Sequence, residues 1–179
     1  MPLIKIHDRF FEPFILSDEI EKRVKLIASE ISKEYEGKNP LFLAVLNGAF
    51  ILAADLLREI HFQSEISFVK ISSYQGMQSS HTIKELIGFT ENLQNRHVII
   101  IEDIIDTGLS MKHILEQVQS HRPASIKVAT LLLKKAALKY SVQTDYIGFE
   151  IENKFVVGYG LDYDGVGRNF PHIYVEKGI

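Results

Sequence analysis

The chain has 179 residues, of which 46% are hydrophobic and 24% charged, and only 5 are proline; this composition excludes a disordered or fibrous protein. A formal net charge of -3, from 20 basic and 23 acidic side chains, excludes a general electrostatic attraction to a nucleic-acid backbone. The absence of cysteine excludes disulfides, thiolate metal sites and cysteine nucleophiles. We therefore expect one core in a single domain, residues 1–179.

Neither a secretory signal nor a membrane span is predicted. The first residues lack a long apolar segment followed by small residues. The longest apolar runs are far shorter than the roughly 20 residues that a membrane-spanning helix needs. We expect a cytoplasmic protein with no membrane partner and no nucleic-acid partner.

The first half of the chain predicts two helices and a strand between them. The segment Ser17–Tyr35 starts with a capping hydroxyl and two acids and has helical apolar spacing, so it predicts a helix. The continuous apolar run Leu41–Leu46 predicts a strand buried on both faces, which ends at Asn47 and Gly48. Residues 49–60, rich in Ala and Leu, predict the second helix.

The second half continues the alternation after a polar interruption. Residues 62–72 predict an edge strand, and the small polar residues 72–81 predict a mobile loop. The remaining predicted elements are a strand over residues 98–101, a helix over 108–120 and strands over 126–133 and 146–149. Strands that alternate with helices predict an α/β fold, a doubly wound and mainly parallel sheet with right-handed crossovers.

The stretch with the most chemical information begins at the strand over residues 98–101. Glu102 and Asp103 follow that strand, at the carboxyl end where open α/β sheets bind ligands, and Asp106 comes three residues later. Such crowding of like charge is unfavourable unless a cation or a polyol offsets it. Residues 106–110 then supply hydroxyls, a glycine and a helix N-terminus, a combination that receives phosphate through backbone N–H groups. The alternative is a helix capped by Asp106 or the next hydroxyl, with two solvated acids before it.

This stretch resembles the motif that binds phosphoribosyl pyrophosphate (PRPP) in type I phosphoribosyltransferases: four apolar residues, two acids, two apolar residues, then Asp-Thr-Gly. The resemblance implies that Glu102 and Asp103 hold the ribose hydroxyls of PRPP, directly or through Mg²⁺. It implies a loop that cradles the 5′-phosphate, formed by Asp106, Thr107, Gly108, Leu109 and Ser110. It also implies a small hood, formed by chain-terminal segments, over the mainly parallel sheet.

Two further stretches resemble loops of the same family. Leu46, Asn47 and Gly48 resemble its pyrophosphate loop, which implies a cis peptide bond between Leu46 and Asn47; the alternative is a plain Asn-Gly turn. Many relatives have Lys where this chain has Asn47. Ser73 and Tyr74 resemble the flexible catalytic loop whose closure excludes water, although a surface loop is the alternative.

Five other positions resemble the purine and pyrophosphate contacts of the hypoxanthine-guanine branch. The resemblance implies that Lys134 donates to the purine O6, that Phe155 stacks on the base and that the Val156 backbone reads the edge of the base. Asp162 matches an acid beside the purine site that helps to hold a second Mg²⁺, and Arg168 matches an arginine that binds pyrophosphate. For each residue alone, core packing or a solvated side chain is the alternative.

The resemblance therefore implies a Mg²⁺-dependent purine salvage enzyme with PRPP and a purine base as its partners. Asp106 would accept the proton of purine N7 as general base. Relatives commonly form dimers or tetramers, so a homodimer or homotetramer is expected. Two alternatives stay open: a phosphoribosyltransferase for another base such as xanthine, and a regulator that keeps the fold to sense nucleotides. His81 stands where relatives often have Gly, and we assign it no chemistry.

Overall fold

The computed structural model describes residues 2–75, 81–89 and 91–178, with the backbone alone for residues 72–75 and 81–86. In chain order the elements are β1 (Ile4–Ile6), β2 (Arg9–Ile15), α1 (Ser17–Tyr35), β3 (Leu41–Leu46), α2 (Phe50–Arg58), β4 (Glu65–Gln75), β5 (His81–Ile87), β6 (His97–Ile105), α3 (Leu109–Ser120), β7 (Ser125–Leu133), a 3₁₀ turn (Lys135–Ala137), β8 (Tyr146–Glu150), β9 (Val156–Val157) and β10 (Ile173–Glu176).

The central sheet has the strand order β5-β4-β3-β6-β7-β8, and its last five strands are mutually parallel. Phe42 and Ile99 pack on the side of α1 and α2, whereas Leu41 and Val98 pack on the side of α3. Because both faces are buried, these strands are apolar at consecutive positions, which is why they are easily recognised in the sequence. No helix within the described residues is long and apolar enough to cross a membrane.

A second, smaller sheet covers the carboxyl end of the first. Its order is β1-β2-β10-β9, and all its pairs are antiparallel. A separate cluster that includes Ile6, Phe11, Val157 and Tyr174 forms its core. We call residues 2–15 and 155–178 the hood. The predicted fold, a mainly parallel α/β sheet with a hood from the chain ends, is therefore confirmed.

The polar stretch after residue 62 differs from its prediction. β4 is not an edge strand, since β3 pairs with one side of it and β5 with the other. β4 also continues to Gln75, so Ser73 and Tyr74 lie in a strand, opposite Ile83 and Thr82. The backbone hydrogen bonds of a ladder do not depend on apolar side chains, which explains why composition indicated a loop. Residues 76–80 of the predicted loop lie outside the described residues.

The start of α1 also differs in detail. The cap residue is Leu16 rather than Ser17, and the Glu19 carboxylate accepts the Leu16 N–H at 3.1 Å. The Ser17 N–H donates to His172 Nδ1 at 2.9 Å, which ties the beginning of α1 to the hood. Glu19, an acid of the first turn, therefore does the capping that was predicted for the Ser17 hydroxyl.

Candidate active site

Two acids lie in the last part of β6, beyond its pairing with β3. β6 continues to Ile105, but it pairs with β3 only as far as Ile101, so Glu102 and Asp103 lie beyond the paired part of the two strands. Burial raises the pKa of both carboxyls, and the charge of Asp103 raises the pKa of Glu102 further. Among the described residues Glu102 Oε2 has no hydrogen-bond partner although it is buried. A cation or a hydrogen-bond donor at this oxygen would stabilise the charged form of Glu102.

The loop after β6 encloses a small cavity at the beginning of α3. Residues 106–111 line this cavity of about 100 Å³ together with Glu102, Ile104 and Ile105. The carbonyl of Thr107 accepts hydrogen bonds from the N–H groups of Lys139 and Tyr140 at 3.0 and 3.1 Å. These bonds tie the loop to the segment that follows the 3₁₀ turn. The predicted phosphate loop thus has the shape of a cup at a helix N-terminus.

Lys134 and Asp106 form an ion pair at the carboxyl ends of neighbouring strands. Lys134 directly follows β7 and its N–H donates to the Ile105 carbonyl at 2.9 Å. Its ammonium lies 2.7 Å from Asp106 Oδ2, and the lysine is buried while about half of the Asp106 side chain is exposed. Parallel strands end at the same edge of a sheet, so two residues 28 positions apart in sequence meet here.

The loop between β3 and α2 packs tightly against Asp103. The peptide bond between Leu46 and Asn47 is cis, where the resemblance implies one. A Cβ atom on Gly48 would overlap the Asp103 carboxylate, so only glycine lets the backbone come this close. On its other side Gly48 meets Gly160 of the hood, where a Cβ atom would overlap the Gly48 carbonyl. The predicted pyrophosphate loop is thus held between the central sheet and the hood.

Phe155 and Val156 lie at the free edge of the hood sheet. Phe155 is 38% exposed, and the centre of its ring lies 5.5 Å from the centre of the Tyr163 ring in an edge-on contact. The Glu176 N–H donates to the Phe155 carbonyl at 2.9 Å, and Val156 lies opposite Val175. Val156 therefore occupies a non-hydrogen-bonded position of the ladder, and its own N–H and carbonyl point to the free edge of β9.

Asp162 and Arg168 form a compensated pair in the hood. Arg168 Nη2 lies 2.7 Å from Asp162 Oδ1, and Arg168 Nη1 donates to the Gly160 carbonyl at 2.6 Å. The other Asp162 oxygen accepts the Gly165 N–H at 2.7 Å. The Arg168 charge also lowers the pKa of Asp103, against the larger effect of burial. Arg168 thus connects the hood with the acids of β6.

The acids present suit a Mg²⁺ ion that is shared with a ligand. Within residues 2–75, 81–89 and 91–178 there is no group of three or more His, Asp or Glu side chains that would hold a metal by itself. Mg²⁺ commonly binds through one or two carboxylates, substrate phosphates and water. Glu102 and Asp103, with a buried oxygen that lacks a partner, fit this mode of binding.

The structure brings most of the predicted residues together. They converge where the sheet ends beneath the hood: residues 46–48, 102–110, Lys134, Asp162 and Arg168. Only the backbone of Ser73 and Tyr74 is described. Tyr159 and Asp55, which the sequence analysis did not single out, bind each other nearby, and the one sequence signal for them is the tyrosine between Gly158 and Gly160.

Comparison with known proteins agrees with this geometry. Residues 15–164 match the phosphoribosyl transferase domain family. The chain is 42% identical over 161 residues to a hypoxanthine-guanine-xanthine phosphoribosyltransferase of Tritrichomonas foetus, covering 89% of this chain and 88% of that protein. It is 40% identical over 164 residues to a hypoxanthine-guanine phosphoribosyltransferase of Bacillus subtilis, covering 91% of both proteins.

A solved structure agrees as well. A hypoxanthine phosphoribosyltransferase of Staphylococcus aureus superposes with a TM-score of 0.88 at 34% identity, covering 93% of this chain and 91% of the other. The match thus extends from the sequence motifs to the arrangement of the sheet and the hood. The chain belongs to the phosphoribosyltransferase family, in the branch of the hypoxanthine-guanine phosphoribosyltransferases.

Proposed function

We propose that the protein transfers the phosphoribosyl group of PRPP to hypoxanthine or guanine, which yields the purine nucleoside 5′-monophosphate and pyrophosphate. One observation carries the proposal: a buried ammonium, Lys134, lies 2.7 Å from a carboxylate, Asp106, at the sheet end that also holds Glu102 and Asp103. A 6-oxopurine presents O6 and N7 side by side. A donor next to an acceptor is the complementary arrangement.

The base would lie between the sheet end and the hood. Lys134 would donate to O6, which favours a carbonyl over the amine of adenine because an ammonium has no acceptor. Phe155 offers a partly exposed ring for stacking. The backbone of Val156, which points to the free edge of β9, supplies a donor and an acceptor for the far edge of the base.

Ribose and phosphates would lie along β6 and its loop. Glu102 and Asp103 would hold the ribose hydroxyls, and residues 106–110 would receive the 5′-phosphate. Asn47, Gly48 and Arg168 would contact pyrophosphate. When bound, Mg²⁺ neutralises charge on the leaving pyrophosphate, and Glu102, Asp103 and Asp162 are the acids that would hold it. Each Asp162 oxygen has one partner and so retains a lone pair.

The reaction exchanges one bond at C1′ for another. The bond from C1′ to the pyrophosphate oxygen breaks with its electron pair on oxygen, and purine N9 forms the new bond to the cationic carbon. The N7 proton passes to the Asp106 carboxylate, which requires Lys134 to turn from Asp106 toward O6. Closure of the segment that includes Ser73 and Tyr74 would exclude water from the cation. The protein mainly positions the reactants and stabilises charge.

Steady-state rates with PRPP, Mg²⁺ and each of four bases test this function. We expect turnover with hypoxanthine and guanine and little with adenine. The variant Lys134→Ala should reduce the preference for 6-oxopurines more than it weakens PRPP binding. Turnover with adenine equal to that with hypoxanthine would overturn the assignment of Lys134. Turnover with xanthine alone would favour the alternative enzyme.

A nucleotide-sensing regulator is the alternative from another class. It would need a basic surface, and the net charge of -3 does not indicate one. Salt-dependent binding to RNA or DNA without turnover of any base would favour it. The clustering of acids with pKa values raised by burial instead supports a site for a cation and a substrate.

We propose in addition that the chain acts as a homodimer or homotetramer of single-domain subunits. We also propose a cytoplasmic location, where a protein without cysteine needs no disulfides. Three exposed apolar side chains support self-association. Ile66 and Phe68 are 39% and 40% exposed on the sheet face that carries α2, and Phe50 at the start of α2 is 44% exposed. Sedimentation velocity should show Phe68→Asp dissociating to monomers, and an unchanged mass would exclude this surface.

A further inference from the structure

A tyrosine in the hood is tied to the helix that follows the proposed pyrophosphate loop. Tyr159 is 7% exposed, and its hydroxyl donates to Asp55 Oδ2 on α2 at 2.7 Å. Burial and this bond both raise the pKa of Tyr159, so the hydroxyl keeps its proton and remains a donor at physiological pH. A hydrogen bond to a charged acceptor is among the stronger polar contacts in a protein.

The bond closes a ring around the pyrophosphate loop. Gly48 is followed after one residue by α2, which carries Asp55. Asp55 binds Tyr159, the neighbouring Gly160 packs on the Gly48 carbonyl, and Gly160 exchanges two hydrogen bonds with Arg168, of 2.9 and 2.6 Å. The loop and Arg168 are therefore joined by two routes, one through the contact of Gly48 with Gly160 and one through α2, Asp55 and Tyr159.

Tyr159 and Asp55 are close to the site but do not line it. Both lie on the wall of a cavity of about 460 Å³ between α1, α2 and the hood. None of the residues that line it belongs to the cavity at residues 106–111. Asp55 also pairs with Arg58 Nη1 at 3.4 Å, on the solvent side of the bond. Any effect of Tyr159 on the reaction must therefore pass through Gly160 and the pyrophosphate loop.

We propose that Tyr159 and Asp55 are positioning residues for pyrophosphate. Their hydrogen bond keeps the backbone of residues 46–48 and the Arg168 guanidinium at the spacing that a bound diphosphate requires. The proposal rests on the proposed function, since it assigns pyrophosphate to that loop. It predicts a defect confined to pyrophosphate and PRPP, because the hydrogen bonds of the ring run to the pyrophosphate loop and Arg168, not to Lys134 or Phe155.

Tyr159→Phe tests the proposal because it removes the hydroxyl and keeps the ring. We expect KM for PRPP in synthesis, and KM for pyrophosphate in the reverse reaction, to rise by up to about tenfold, the limit reached if the whole free energy of one hydrogen bond to a charged acceptor is lost from diphosphate binding. KM for hypoxanthine and for the nucleotide should stay unchanged. Asp55→Asn keeps an acceptor and should retain most of the affinity for PRPP and pyrophosphate, whereas Asp55→Ala should behave like Tyr159→Phe.

Tyr146→Phe is the matched control. The Tyr146 hydroxyl donates to Glu34 at 2.6 Å, its side chain is 6% exposed, and burial raises its pKa as well. This bond joins β8 to α1, away from the pyrophosphate loop. Both phenylalanine variants should lose similar thermal stability, and only Tyr159→Phe should change KM for PRPP. Equal kinetic effects in the two variants, or a parallel rise in KM for the purine, would overturn the proposal.

A binding experiment separates this proposal from the proposed function. Calorimetric titration of folded wild-type and variant proteins with pyrophosphate and Mg²⁺ requires no turnover. Weaker binding by Tyr159→Phe, with wild-type binding by Tyr146→Phe, supports the positioning role even where no purine is a substrate. Equal pyrophosphate affinity in all three proteins contradicts it, even where the wild-type protein transfers phosphoribosyl groups to hypoxanthine.

Discussion

At the end of β6, Glu102 and Asp103 are acids whose pKa values burial raises, and one Glu102 oxygen has no partner among the described residues. In the hood, by contrast, both oxygens of Asp162 are bound, one by Arg168 and the other by the Gly165 N–H. The sheet end thus carries unfavourable charge that a cation would relieve. The hood is internally compensated and contributes shape and hydrogen bonds.

The two regions also differ in how the chain builds them. One continuous segment, residues 98–110, supplies the acids and the loop of the sheet end. The hood combines both ends of the chain, as the ion pair between Arg9 and Glu176 at 3.1 Å shows. We infer that the chemistry is concentrated at the sheet end, and that the hood binds and orients the base. Variants in each region test this difference in role.

The largest effect is expected from Asp106→Asn at the sheet end. The amide preserves the shape of the loop but does not accept the N7 proton, so turnover should fall about 10²–10⁴-fold, as for removal of a general base. PRPP affinity should barely change, because the amide keeps the shape of the side chain, whereas the melting temperature should fall because the buried Lys134 loses its charged partner. Single-turnover rates and PRPP titrations measure the two quantities. A variant with full turnover would remove Asp106 from the mechanism.

The double variant Glu102→Gln and Asp103→Asn should weaken PRPP binding about 10–100-fold, since two charge-assisted contacts are lost. The Mg²⁺ dependence of that binding should become shallower, because amide oxygens carry no charge. Titration of PRPP at several Mg²⁺ concentrations checks both effects. Wild-type curves from the variant would show that the acids do not contact PRPP or its metal.

The same double variant should be more stable than the wild type at neutral pH without ligands. Folding raises the pKa of both acids, so at pH values between the unfolded and the folded pKa the folded wild type binds more protons than the unfolded chain. Its free energy of unfolding therefore falls as pH rises through that interval, and the amides remove this fall. Acids with lowered pKa, such as Asp8 and Glu21, act in the opposite direction but are common to both proteins.

Chemical denaturation between acidic and neutral pH measures this difference. The stability of the two proteins should converge at acidic pH, where the wild-type acids are protonated, and diverge toward neutral pH. A variant that is less stable than the wild type at neutral pH would contradict the view that the sheet end carries uncompensated charge.

The smallest effect is expected in the hood, from Arg9→Leu. The Arg9 guanidinium lies 5.4 Å from the Phe155 ring centre and 4.9 Å from that of Tyr163, and it supports the ring proposed to stack on the base. A cation on an aromatic ring at an exposed site contributes about 0.5–1 kcal/mol, so KM for the purine should rise about 2–5-fold with KM for PRPP unchanged.

Lys5→Leu is the control for this substitution. The Lys5 ammonium lies 5.5 Å from the Phe10 ring centre in the same small sheet, and Phe10 is not assigned to the site. The control should leave both KM values unchanged. If Arg9→Leu altered turnover without altering KM for the purine, the hood would take part in chemistry, and the division between the two regions would be wrong.

Much of the central sheet could be predicted because its elements are marked by local periodicity. α1 and β3 have the predicted bounds, and α3 and β7 differ from theirs by one residue. β1, β2 and β10 were not assigned from the sequence, since β1 and β10 are short and β2 pairs with β10 from the other end of the chain. β4 was mistaken for an edge strand because a polar partner strand leaves no apolar pattern.

By itself the sequence determined the mainly parallel sheet and the adjacency of Glu102, Asp103 and Asp106, because neighbours on one strand and its loop stay neighbours in any fold. Only the tertiary structure decided that Lys134 meets Asp106, that Gly48 lies between Asp103 and Gly160, and that Tyr159 binds Asp55. Those contacts depend on which strands lie side by side and on how the hood closes over them. Such relations arise from packing between distant segments, which local propensity does not encode.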